Sequence, residues 1–244
     1  MRRLAVFLAL LCIAASQAAV AGQDEDIRAA LERGDFQAVQ EMARGGEVRF
    51  FMYGGFAHVN RWVDSFVAAN LEARYGISLR RIPMDAPVFM NKLIAEKAAG
   101  LERGSIDLVW INGENFKNAM QADLLFGPFA GKLPSFRYVD PAVVAYDFGY
   151  PVRGFEAPFG KAQFVFEYDK PALAEPPANL QELEAWIKAN PGRFTYPQPP
   201  DFTGSAFVRQ AFYFLTGGHE QYMDGFDQAL FDKNAPKLWA WLNE

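Results

Sequence analysis

From Val48 to Ala122 the chain repeats one pattern three times: a short apolar run, then a longer stretch with apolar residues three and four apart. Val48-Arg49-Phe50-Phe51-Met52-Tyr53 reads as a buried strand closed by Gly54-Gly55. Asn60 to Tyr75 reads as a helix, with Trp62, Val63, Phe66, Val67 and Leu71 on one side and Gly76 at its end. Ile77 to Ile82 is a second strand. Pro87 to Ala99 is a second helix with Val88, Phe89, Leu93, Ile94 and Ala98 inward. Ile106-Asp107-Leu108-Val109-Trp110 is a third strand, and Gly113 to Ala122 a third helix with Phe116 and Met120 inward. Parallel neighbours need a long crossover, usually a helix, and strands alternating with helices supply one each time. The pattern therefore implies an α/β fold on a parallel sheet with right-handed crossovers.

The flanking regions lack this rhythm. Gln23 to Arg44 suggests one or two short amphipathic helices broken near Gly34. Leu124 to Tyr150 is loop-rich, with three prolines. Ala162 to Tyr168 alternates and reads as a connecting or mixed-sheet strand. Asn179 caps a helix from Leu180 to Ala189 whose stripe is Leu180, Leu183, Trp186 and Ile187. Arg193 to Tyr196 is a short strand, Ser205 to Leu215 a helix, and Ala235 to Asn243 a last helical stretch.

Residues 1–21 have the form of a secretory signal. Arg2-Arg3 precedes the apolar run Leu4 to Ala15, too short for a permanent span, and Ala19-Val20-Ala21 supplies small residues for cleavage after Ala21. Cleavage would remove Cys12, the sole cysteine, and with it any disulfide, thiolate metal ligand or thiol nucleophile. It would also remove two of the 24 basic residues, leaving 22 against 29 acidic, or −7. That balance excludes nucleic acid and anionic membrane surfaces as partners.

In open parallel sheets ligands gather beyond the carboxyl ends of the strands. The loop Tyr53-Gly54-Gly55-Phe56 lets a ligand approach backbone before a helix start. Met84 to Pro87 is a second such loop. The third, Trp110 to Phe116, places an aromatic face beside Asn112, Glu114 and Asn115, with Gly113 at the helix start, and suits a small polar molecule. The alternative is that Asn112 or Asn115 caps the helix and Trp110 is core. In the loop from Tyr196, Thr203-Gly204-Ser205 offers hydroxyls and free N–H groups at a helix start, and Asp201 could meet a cation. The alternatives there are capping by Thr203 or Ser205 and an ordinary turn role for Asp201.

Catalytic patterns are weak. The two histidines, His58 and His219, lack metal-ligand spacing, and neither a G-x-S-x-G turn nor a Walker loop is present. The reading is a non-enzymatic binding protein with no cofactor and no metal. The alternatives are an exported enzyme drawing on Asp85, Glu114 and Asp201, or a sensor's binding module. Tyr53, Trp110, Tyr196 and Phe202 could cage a flat ring or organic cation, whereas helix starts at Gly113 and Gly204 favour an anionic group. An aromatic, cationic or zwitterionic solute is therefore expected.

Three segments carry a family resemblance: Tyr53-Gly54-Gly55, Ile106 to Phe116 with its Trp-Ile-Asn-Gly-Glu-Asn-Phe run, and Tyr196-Pro197 to Gly204-Ser205. From about residue 45 onward the chain resembles the periplasmic solute-binding proteins of ABC importers, in particular the YnjB-like group, relatives of thiamine-, polyamine- and iron-binding proteins. The resemblance implies a two-lobe, type II periplasmic-binding-protein fold with an inter-lobe cleft, and delivery of the solute by a monomer to permease subunits. It implies a first lobe over 47–160 and a second over 161–244, with 157–168 crossing between them; the helical segment read over 22–46 precedes the first lobe. The family's chains are longer, so it also implies an incomplete second lobe.

Overall fold

A computed structural model describes residues 25–101, 103–160, 164–199, 201–223 and 225–243. The expected signal segment, 1–21, lies outside the described residues. The chain divides into two compact units, Met1–Pro158 and Phe159–Glu244.

The first unit opens with two short helices, α1 (25–32) and α2 (Phe36–Ala43), broken at Gly34, whose φ is +69°. Asp35 caps α2, its carboxylate accepting from the Ala38 N–H at 3.1 Å. α1 buries Ala30 and Leu31 and is tied to the middle of the unit by a Glu32–Lys132 ion pair and by Arg28 over the Phe126 ring.

The alternating pattern forms a three-stranded parallel sheet in the order β2-β1-β3. β1 is Glu47–Met52, β2 Ser78–Pro83 and β3 Leu108–Val109. β1, central, aligns Phe51 with Ile82 on one side and with Val109 on the other. β3 is shorter than the expected five residues, although the Asp107 and Trp110 N–H groups still donate to Arg49 and Phe51 carbonyls of β1. β1 is not a wholly buried strand: only Phe51 and Met52 are buried.

The first crossover runs through α3 (Ala57–Arg61), a π-helical segment (Trp62–Val67) and α4 (Ala68–Tyr75), ending at Gly76 in the left-handed region. The wider π turn rotates the expected apolar face. Val63 is buried, while Trp62 and Phe66 stand 42% and 58% exposed and stack on each other at 6.1 Å. The second crossover, α5 (Ala86–Ala98), buries Phe89 and Met90 with Leu93 packed beside them; Val88 and Ile94, expected inward, are about half exposed. Phe89 and Met90 form one core with Ala119 of α6 (Gly113–Gln121), against which Ile106, Val109 and Ile111 pack. Beyond α6, two 3₁₀ turns (Ala130–Lys132 and Pro134–Tyr138) lead to a hairpin, β4 (Tyr146–Asp147) and β5 (Tyr150–Pro151). Its two-residue loop, Phe148-Gly149, has φ of +45° and +84°, the positive pair that a type I′ turn requires.

In the second unit α7 (Leu180–Ala189) is capped as expected. Asn179 accepts from the Glu182 N–H at 2.9 Å, and Glu182 reaches back to the Ala178 N–H. α8 (Phe202–Thr216) begins three residues earlier than expected, and α9 (Gln228–Asn243) seven. Residues 164–168 and 193–196 are not strands; Ala162 and Gln163 lie outside the described residues. Alternation reports which side a residue faces, whereas a strand also needs a partner. Here the apolar residues settle instead on Phe207 of α8, with Phe166, Phe194 and Tyr196 at 6.1, 5.5 and 4.4 Å. α9 is joined to the end of α8 by the buried Asn234, which donates to Tyr222 Oη at 2.9 Å, while Tyr222 donates to Thr216 at 2.8 Å.

Candidate functional site

β1 and β3 are neighbours in the sheet, so the residues that leave their carboxyl ends emerge together. The Trp110 N–H donates to the Phe51 carbonyl at 2.8 Å, and the Trp110 ring meets Tyr53 edge-on at 5.3 Å. Phe50 stacks on Trp110 at 6.5 Å. Phe56 meets Tyr53 at 5.8 Å, and His58 lies against Phe56 at 5.5 Å. Tyr53 and Trp110 thus belong to one aromatic cluster at the edge where a parallel sheet presents its ligands.

The glycine turn that follows Tyr53 is held by Asn60, whose side-chain amide donates to the Gly54 carbonyl at 2.9 Å. The two glycines are not equivalent. A Cβ on Gly54 would press on Pro83 at 3.2 Å. One on Gly55 would meet no atom within 4 Å, and its backbone is outside the left-handed region. The fold has no use for a glycine at Gly55, which is what a close backbone approach by a ligand would leave.

The next loop turns into α6. Asn112 holds the N-cap position with an extended φ of −162° but makes no side-chain capping bond. Gly113 is buried with φ +57°, and its N–H donates to the Asp147 carboxylate of β4. Neither Asn112 nor Asn115 caps α6: a carboxylate 34 residues away does. The N–H expected to receive a ligand anion at Gly113 is therefore taken. Asn115 is half-buried and Glu114 exposed on the first turn. Phe148, beside Asp147, stands 3.5 Å from where a Gly113 Cβ would be.

Burial raises the Asp147 carboxyl above its ordinary range, outweighing the Gly113 N–H that favours its anion. Glu156 is pushed up to about 8, chiefly by burial and then by the Asp147 charge. Glu156 also lines a hollow of about 340 Å³ with Phe136, Tyr146 and Val152. Asp147, Phe148 and Glu156 escaped the sequence reading. Asp147 had one legible signal, its place before the Phe148-Gly149 turn of a hairpin.

In the second unit the structure corrects the loop expected to be open. Asp201, not Thr203 or Ser205, caps α8. Its carboxylate accepts from the Thr203 and Gly204 N–H groups at 2.8 and 3.0 Å, and its carbonyl from Ser205 at 2.8 Å. The N–H groups of Thr203, Gly204 and Ser205 are therefore not free for an anion. Gly204 is buried, and a methyl there would run into the Pro197 carbonyl, so packing alone requires glycine. Tyr196 lies half-buried on Phe207, while Phe202 is 55% exposed.

Among the described residues no group of three or more His, Cys, Asp and Glu could hold a metal, and no helix is long and apolar enough to cross a membrane.

A family model described as "Bacterial extracellular solute-binding protein" matches residues 67–244. Protein YnjB of Escherichia coli (strain K12) is 38% identical over 212 residues, which are 86% of this chain and 54% of that protein. The chain thus spans about half the length of the curated relative it matches. A model covering most of the residues and a relative at this identity place the chain: it belongs to the bacterial extracellular solute-binding protein family, in the YnjB-like group.

Proposed function

We propose that this chain captures a small solute in the periplasm and hands it to the permease subunits of an ABC importer, without chemical turnover. The observation that carries the reading is the Tyr53–Trp110 pair beside Gly55, at the carboxyl ends of two paired parallel strands. Tyr53, Gly55, Trp110 and Asn112 are the contacts proposed on the first unit, with Gly54 shaping the turn and Glu114 and Asn115 at its rim. The reading includes a monomer with a cleavable signal over 1–21. It also includes a type II periplasmic-binding-protein fold, with the first unit as one lobe and the second as part of the other. Contacts from Tyr196, Asp201 and Thr203 to Ser205 enter on the family resemblance alone.

A thermal-shift screen against a solute library tests this. A true ligand at one hundred times its Kd adds about 2.7 kcal/mol to stability, enough to move Tm by several degrees. Gly55→Ala leaves the ligand-free Tm nearly unchanged and weakens or abolishes the shift, because the added methyl meets no protein atom within 4 Å but stands where the ligand would approach the backbone. No shift with any solute, or turnover of the one that binds, overturns the reading.

A further inference from the structure

The hollow beside Glu156 lies within the first unit and is separate from the aromatic cluster, since neither Tyr53 nor Trp110 lines it. At about 340 Å³ it has the size of a small-molecule site. Its wall is apolar, built from Phe136, Val144, Pro151 and Val152. The β4–β5 hairpin fixes one side. Tyr146 pairs with Pro151 across the ladder, and the Val152 N–H donates to the Ala145 carbonyl at 3.0 Å. The next turn brings Glu156 back to the wall. In it Arg153 and Gly154 have φ of +53° and +79°, and the Phe155 N–H donates to the Val152 carbonyl at 3.1 Å. The Gly154 carbonyl accepts from the Phe129 and Ala130 N–H groups at 2.9 and 3.0 Å, which locks that turn in place.

Glu156 is the polar group this wall surrounds. It is half-buried, and among the described residues no donor reaches its carboxyl. Arg153, the other charged residue of the lining, is exposed and makes no ion pair with it. The charge it feels is that of Asp147, of its own sign. A carboxyl in apolar surroundings without a cation keeps its proton at neutral pH and can then donate a hydrogen bond. It offers one donor beside one acceptor, and a polar group left half-buried without partners invites one that supplies both. An amide edge, a carbonyl beside an N–H, is that complement. A charged ligand would have to shed its water against an apolar wall, and an anion would also meet the Asp147 charge.

We infer that this hollow is a second ligand site, for a small neutral molecule with an apolar body and an amide edge, held by Glu156 through a paired donor and acceptor. It is independent of the solute proposed for Tyr53 and Trp110.

The test is a ligand-observed NMR titration of the full chain with three ring compounds of similar size: benzamide, benzylamine and benzoate. At pH 7 benzamide is expected to bind saturably and about tenfold or more tightly than either charged compound. Its affinity should fall about tenfold between pH 7 and pH 9, as Glu156, with its pKa raised to about 8, loses the proton it donates. Glu156→Gln keeps a donor beside an acceptor, so it should bind benzamide at pH 7 and show no such fall. Ala145→Phe extends a ring from the exposed rim of the hollow and should abolish binding. The inference is overturned if benzamide does not bind or if a charged analogue binds as tightly. A wild-type affinity that is flat from pH 7 to 9, a fall that persists in Glu156→Gln, or a folded Ala145→Phe that still binds also overturns it. If a variant fails to fold by circular dichroism, the wild-type ranking and pH profile decide.

Discussion

Single residues in this chain do work that their type alone does not reveal. Gly55 and Gly204 both sit in loops expected to meet a ligand, yet Gly204 is glycine because the Pro197 carbonyl leaves no space, and Gly55 faces open space. Asp201 looked like a turn residue and is a helix cap. Glu156 allows a prediction with a definite sign. Its folded pKa, about 8, lies above the ordinary 4.5, so the folded state holds its proton more tightly than the unfolded chain. Wild-type stability should therefore fall as pH rises from about 4.5 to about 8 and level off beyond. Glu156→Gln keeps the protonated form's shape without the charge. Tm measured from pH 5 to 9 should coincide for the two proteins at the acid end and favour the variant increasingly toward pH 8. A constant difference across the range would refute the assignment.

At the scale of elements, β3 is the weak member of the sheet, with two paired residues, and a side-chain clamp compensates. Arg49 of β1 donates to Asp107 through Nε at 2.7 Å and Nη2 at 2.8 Å, and the Arg49 backbone N–H also donates to the same carboxylate at 2.8 Å. Nη2 reaches the Gly104 carbonyl at 2.9 Å as well, gathering the strand's approach. These bonds hold the Asp107 carboxyl below its usual range, the Arg49 guanidinium first among the causes. Asp107→Asn should cost about 1–2 kcal/mol in urea unfolding at pH 7, a value reduced from that of a buried charged bond because both side chains remain partly exposed. Here the sign is opposite to that of Glu156. The contribution is present above the unfolded pKa of about 3.9 and lost as pH falls through the lower folded value, so the two proteins should converge in acid. The elements most legible in the sequence were those with local signals: the Asn179–Glu182 capping box, Gly76 ending α4, Gly34 between α1 and α2. The expected strands at 162–168 and 193–196 failed because a ladder partner is not a local property. The faces of Trp62, Phe66, Val88 and Ile94 were misjudged because a π turn and the packing partner of α5 set them.

For the whole molecule, the division between Pro158 and Phe159 makes a prediction of its own. The stretch that follows lacks helix or strand from 164 to 179 and exposes Phe166 and Tyr168, about half accessible each. Exposed irregular backbone is where proteases cut folded proteins. Brief chymotrypsin treatment should cleave between 159 and 170 before any site within β1–β3, giving two fragments resolved by mass spectrometry. First cleavage inside the sheet would contradict the division.

The sequence by itself determined the α/β class, the order of strands and helices from β1 to α6, and the loops after β1 and β3 from which Tyr53 and Trp110 emerge. Apolar periodicity, glycine punctuation and the rule that parallel strands emerge together are all carried by residues near one another along the chain. Only the tertiary structure decided which helix ends were open. Asp147 reaches Gly113 across 34 residues through a hairpin and turns an expected ligand donor into an internal contact. A carboxylate that belongs to no local pattern can satisfy a distant N–H only once the fold has brought them together. The charge a site presents is a sum over neighbours in space.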